Sequence, residues 1–297
     1  MQKKNGTFLH KMTALAVGAL LLVGQASGLT SVSVAKAAET NVSDTEKIYY
    51  EDTLFHGFGV MVDASYHVVC DEMRTLAVKA ITAPSYGNGN SAMTNSCGAI
   101  TGTNVIVFND QYFTNLIPNF EPGMTESNGI YDYFPDLGWP QTDSVLETMY
   151  NTMRIPEVGG TTSANFRSAL QTYASGKGYA LSFSSFYSGE TTVNLNTLIS
   201  ALNAGKVGVI MCSEYNFIYG FGYNTNTNRV EVVQQNSTTG HIMMVSGYKT
   251  VGYYTDNTLI GTETFLIVSS GYQTADDGYM KLNDFSKIDE AWIVNVS

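Results

Sequence analysis

Two residues of this chain combine the type and setting that nucleophilic chemistry requires: Cys97 and His241. Cys97 follows a Gly-, Asn- and Ser-rich loop over 86–96. It precedes an apolar run, Ile100 to Phe108, that reads as a buried helix. A thiol at a helix N-terminus meets free N–H groups and a partial positive charge, and both favour the nucleophilic thiolate. Free cysteines are also common core residues, so the helix position alone leaves both readings open. His241 opens the apolar stretch Gly240–Tyr248, which reads as a strand. A strand start can hold an imidazole rigidly with one nitrogen open, and Gly240 lets another backbone come close. A solvated strand-end histidine is the alternative. Cys and His far apart in sequence but adjacent in space is the pattern of a thiol protease. There the imidazole activates the thiol and later protonates the leaving group.

The other candidates are weaker. The chain has three cysteines, Cys70, Cys97 and Cys212. In an oxidising compartment an odd count leaves at least one thiol unpaired or intermolecular. Pairing of Cys70 with Cys212 would leave Cys97 free, but sequence does not establish pairing. His56 and His67 have no partner in view. No Cys/His spacing has the metal-site form, so a zinc site is not expected.

The N-terminus sets the compartment. Lys3, Lys4 and Lys11 precede the short apolar stretch Thr13–Gly24, and Ala35-Lys36-Ala37 has the A-x-A cleavage form. This is the pattern of a secretory signal peptide over 1–37, bacterial in style, with the protein expected outside the cell. The apolar stretch is well short of the roughly 20 residues a membrane span needs. Cleavage leaves 11 basic against 26 acidic residues, a net charge of −15. That balance argues against nucleic acid and anionic membrane surfaces as partners.

The elements that must position the pair follow from periodicity. Residues 38–83 form an N-terminal segment, either part of the domain or a pro-segment. Within it Val69, Met73, Leu76 and Ala80 predict a helix over 64–81. After the Cys97 helix, 119–141 reads as a Gly/Pro-rich surface loop. Val145, Leu146, Met149, Tyr150 and Met153 then mark a helix capped by Thr142 or Asp143. Phe166, Leu170, Tyr173 and Ala174 mark another, and Leu195–Leu202 a further one ending at Gly205. From Val207 the period changes from 3.6 to 2. Short strands follow over 207–212, 217–223, 229–234, 241–248, 251–255, 263–269, 278–282 and 291–296. Helices first and strands after predicts an α+β fold with a C-terminal antiparallel sheet. The helical and strand halves interlock as one domain over 84–297.

The motifs Asn95-Ser96-Cys97-Gly98, Leu202–Ile210, Gly240-His241 with its strand, and Phe265–Tyr272 followed by Gly278-Tyr279-Met280 span residues 84–296. In order and spacing the chain resembles the papain-like cysteine peptidases, specifically a secreted bacterial branch similar to the bacteriocin-processing, double-glycine peptidases. The resemblance implies a papain-like fold, a protein or peptide substrate, no cofactor, Cys97 as nucleophile and His241 as general base and acid. The family's oxyanion-binding Gln falls on Ser91 here. Asn90 and Asn95 are the nearby amides, and Asn95 is the one chosen. The family's His-orienting Asn or Asp falls on Ser270, with Asp256 and Asn257 as alternatives at an expected hairpin tip. Two further readings share the fold: a cell-wall amidase or acyl transferase using the same pair, and a non-catalytic papain-like binding domain.

Overall fold

The computed structural model describes residues 40–41, 49–57, 60–68, 72–85, 93–120, 124–127, 130–133, 140–155, 160–224, 229–271, 277–282 and 286–297. Residues 1–37, read from sequence as a signal peptide, and Cys70, Asn90 and Ser91 lie outside the described residues. The elements in chain order are β1 (Thr40–Asn41), β2 (Tyr49–Gly57), β3 (Val60–Val68), β4 (Glu72–Ala80) and α1 (Cys97–Asp110). Next come β5 (Met124–Ser127), β6 (Ile130–Tyr133), α2 (Pro140–Met153), α3 (Ser163–Gly176), β7 (Leu181–Ser185), β8 (Tyr187–Gly189), β9 (Thr192–Val193) and α4 (Leu195–Asn203). The chain closes with β10 (Gly208–Asn224), β11 (Arg229–Ser237), β12 (His241–Thr255), β13 (Thr258–Ser269), β14 (Asp277–Lys281) and β15 (Lys287–Val296). The protein is α+β.

Eleven strands form one sheet, ordered β1-β4-β12-β13-β14-β10-β11-β3-β2, with β15 against β10 and β7. The ladders between these strands are antiparallel. Because β10 also pairs with β12, the four strands β10, β12, β13 and β14 close a circuit of ladders. The 17-residue β10 manages this by changing neighbours along its length. Gly208–Cys212 meets β12, Phe217–Ile218 meets β14, and Tyr215–Asn224 meets β11. Register breaks near Cys212 and between Ile218 and Gly220 supply the bends, as bulges do.

The helices cover both faces of this sheet. Helix α1 is buried from Gly98 through Asp110 and packs on α2, α3 and β12. It therefore carries no polar stripe, as expected of a helix enclosed on all sides. Its core takes Ile242 and Met244 from β12, whereas Met243 and Val245 face a second core with α4. Covering both faces explains why 241–248 reads as a continuous apolar run rather than an alternating one. The stripe Val145, Leu146, Met149, Tyr150 and Met153 on α2 is buried, as the spacing predicts. Thr162 caps α3 by accepting from Asn165 N, and Asn194 caps α4 from Thr197 N.

Three expectations are corrected. The helix over 64–81 is absent; β3 and β4 occupy its place. The helical spacing there is accidental: β4 finds eight cross-strand partners in β12, from Gly247↔Ala80 to Tyr254↔Glu72, and tertiary pairing overrides local pattern. The surface loop over 119–141 contains the hairpin β5–β6. Helix α2 starts at Pro140, so Thr142 and Asp143 lie inside it; proline suits the first helical turn because its missing N–H is not needed there.

Candidate active site

Cys97 is the first residue of α1 and is half-buried. The preceding turn carries Asn95 at φ 53, and Ser96 caps the helix without a side-chain hydrogen bond. The first-turn N–H groups are thus left without a side-chain cap. Two contacts fix the helix start against its surroundings. Thr101 Oγ1 donates to the Ile242 carbonyl at 2.9 Å, tying α1 to β12 one residue past His241. Gly98 lies so close to Thr161 that a Cβ would sit 2.4 Å from its methyl carbon.

His241 is the first residue of β12, opposite Cys212 of β10, and only 8% exposed. Its Nε2 lies 2.7 Å from the Ser270 carbonyl oxygen. A carbonyl only accepts, so Nε2–H donates, and Nδ1 is the nitrogen left for the thiol. The ring also lies against Tyr215 of β10, with centroids 5.3 Å apart and planes at 22°. Tyr215 is fully buried, so this side of the imidazole is closed to water.

The Cys97 and His241 side chains hydrogen-bond each other. Burial alone would raise the Cys97 thiol. The hydrogen bond and charge of His241, then the N–H groups of Ile242 and Gly98, outweigh burial and hold the thiol below its ordinary value. Burial alone would lower the His241 imidazole, but the thiolate's hydrogen bond and charge, with the Ser270 carbonyl, hold it above its ordinary value. Both shifts favour the charged forms, a thiolate facing an imidazolium. Cys212 differs: burial and then the Asp289 carboxylate push its thiol up, and its Sγ lies 3.8 Å from Met280 Sδ.

Chemistry-bearing residues chosen from sequence are thus brought together in part. Cys97 and His241 meet. At Ser270 the contact to the ring comes from the backbone oxygen, whereas sequence reasoning assigned the hydroxyl. Asp256 and Asn257 sit at the β12–β13 turn, φ 49 and 62, at the far end of β12 from His241. Fifteen residues of strand put roughly 45 Å between them. Asn95 is exposed and lines a small pocket beside α1. Tyr215 and the Ile242 N–H were missed from sequence. Both depend on which residue of β10 faces which residue of β12, and no local pattern encodes that register.

Among the described residues, no cluster of three His, Cys, Asp or Glu side chains gathers to hold a metal, and no helix is long and apolar enough to cross a membrane. No protein-family model matches the chain, and no curated protein matches its sequence.

Proposed function

We propose that the protein is a secreted cysteine peptidase with a papain-like arrangement of helices on a closed antiparallel sheet. One observation carries the reading: a half-buried thiol at the first residue of a helix hydrogen-bonds an imidazole whose other nitrogen is committed to a backbone carbonyl. A buried structural thiol needs no such partner, and Cys212 has none of this apparatus. The thiolate of Cys97 attacks the substrate carbonyl, and the tetrahedral oxyanion is met by the Cys97 backbone N–H and the Asn95 amide. Collapse breaks the C–N bond as the His241 imidazolium protonates the departing amine, leaving a thioester. His241, now neutral, takes a proton from water as its oxygen attacks the thioester. The thiolate leaves and the acid product forms.

Incubation with a denatured protein substrate tests this. Fragments are expected from the wild type and none above background from Cys97→Ala or His241→Ala. Absence of fragments with release of muropeptides from cell-wall material would reassign the pair to an amidase. Absence of both would leave a binding domain that retains the scaffold.

A further inference from the structure

We infer that the pocket beside Cys97 is a subsite for a carboxylate carried by the substrate, held by Arg154; the assignment rests on reading Cys97 as the nucleophile. Asn95 and Gly98, which bracket Cys97 in the chain, both line the pocket, so a substrate carbonyl placed at the thiol has its neighbouring residue here. The pocket is small, with Ala99 and Met153 contributing apolar lining. One cation lines it. Arg154 follows the last turn of α2, its N–H bonded to the Tyr150 carbonyl at 3.1 Å. Its guanidinium lies over the Tyr150 ring, 5.4 Å from the centroid. The ring is itself 9% exposed, and its hydroxyl donates to the Thr94 carbonyl at 3.2 Å. A guanidinium resting over an aromatic face still has N–H donors to offer, and its fork can take a carboxylate through two bonds.

The other arginines with described side chains are engaged. Arg167 has Glu290 at 4.0 Å, and Arg74 donates to Asn257 Oδ1 at 2.9 Å. Arg154 has no carboxylate within ion-pair distance among the described residues. In a chain with 26 acidic against 15 basic residues, carboxylates are the abundant partner, so an arginine beside the reactive thiol with none among the described residues is set apart. The acidic surface as a whole does not defeat the pairing. Exposed charges are screened beyond about 8–10 Å at physiological ionic strength, whereas the Arg154 contact is local. Two sources supply a carboxylate at this position: an Asp or Glu side chain next to the scissile bond, or the free C-terminus of a short peptide.

The test uses matched synthetic peptides that differ only in Asp or Glu against Asn or Gln at each position flanking the cleaved bond, each with free and amidated C-termini. Cleavage by the wild type is expected to favour the acidic peptide by about two- to fivefold, the scale of an ion pair at an exposed arginine. The ratio is expected to fall to parity in Arg154→Gln and to invert toward the Asn or Gln peptide in Arg154→Glu. An Arg154-dependent preference for Asp or Glu over Asn or Gln assigns the side chain as the source; an Arg154-dependent preference for the free over the amidated peptide assigns the C-terminus. Binding of the same peptides to Cys97→Ala and to Cys97→Ala/Arg154→Gln, read by fluorescence anisotropy, separates binding from cleavage. Cleavage with the same ratio in wild type and Arg154→Gln overturns the subsite and leaves the peptidase. Arg154-dependent binding without any cleavage overturns the peptidase and leaves a carboxylate-binding pocket. Neither cleavage nor Arg154-dependent binding overturns both.

Discussion

Replacing His241 by Ala should disarm Cys97, and the size of the effect can be worked from the site. A free thiol titrates near 8.5, so at pH 6.5 about 1% of it is thiolate. In the folded protein burial works to raise the Cys97 value, and the hydrogen bond and charge of the His241 ring do most to bring it down. Full ionisation would enlarge the thiolate fraction up to ~100-fold over a free thiol, but a stabilised thiolate is a poorer nucleophile. With a Brønsted slope of about 0.4–0.5, roughly tenfold of that gain survives as rate. In His241→Ala the ring's hydrogen bond and charge are gone while burial stays, and burial raises the thiol, so the thiolate fraction drops below that of a free cysteine. Iodoacetamide labelling of Cys97 at pH 6.5 is therefore expected to slow by at least about tenfold. Peptide mass spectrometry of a quenched time course reads it site by site. Cys212, held up by burial and by Asp289, is the internal control and should stay unlabelled in both proteins. Equal Cys97 rates in wild type and His241→Ala, or a wild-type pH profile superposing that of an ordinary thiol, would refute the coupling.

Two further expectations concern the scaffold. Asp110 is buried, and burial raises its carboxyl pKa while the Ile117 N–H, 2.7 Å from Oδ1, opposes the shift. With the folded value above the unfolded 3.8, its contribution to stability is full below 3.8 and is lost as pH rises through the folded value. Asp110→Asn keeps an acceptor and carries no charge, so its melting temperature should gain on the wild type as pH rises above about 4. Asp110→Ala should lose about 1–3 kcal/mol by orphaning the Ile117 N–H; melts over a pH series check both. Gly247→Ala would place a Cβ 2.4 Å from the Lys79 carbonyl oxygen and 2.8 Å from Ala80 Cα, both backbone of β4. Urea denaturation should show a cost of about 1–3 kcal/mol, and a neutral result would mean that β4 is not seated on β12.

Legibility from sequence followed the range of the interactions. The α2 and α3 stripes were readable because a helix that buries one face repeats its apolar residues every three or four positions. The Gly205 stop was readable because the chain turns there through φ +70. Cys97 and His241 were readable because each stands at the first residue of a strongly apolar element. Strand extents were less so. Sequence divided β12 at 248 and β10 at 212, since Lys249, Glu214 and the glycines interrupt the apolar run. Both strands continue because their ladders do. The 64–81 helix failed where a nine-residue segment took its conformation from a partner some 170 residues away. The atom of residue 270 that meets the His241 ring was not legible, because only side chains are written in a sequence and this acceptor is main chain.

That last feature changes which letter of the sequence guards the ring. An oxygen belonging to the peptide link exists whatever residue stands at 270, so alanine scanning would pass over it. What aims the oxygen is the bend that follows. Gly271 adopts φ +73, and a Cβ there would lie 3.2 Å from Ile100 Cγ2, in the first turn of the same helix that bears the thiol. Ser270 is itself fully buried, so 270 takes only small side chains, whereas 271 is closed to nearly all, since L-residues are strained at that φ. A genetic search for the ring's support would find a glycine that never touches the imidazole.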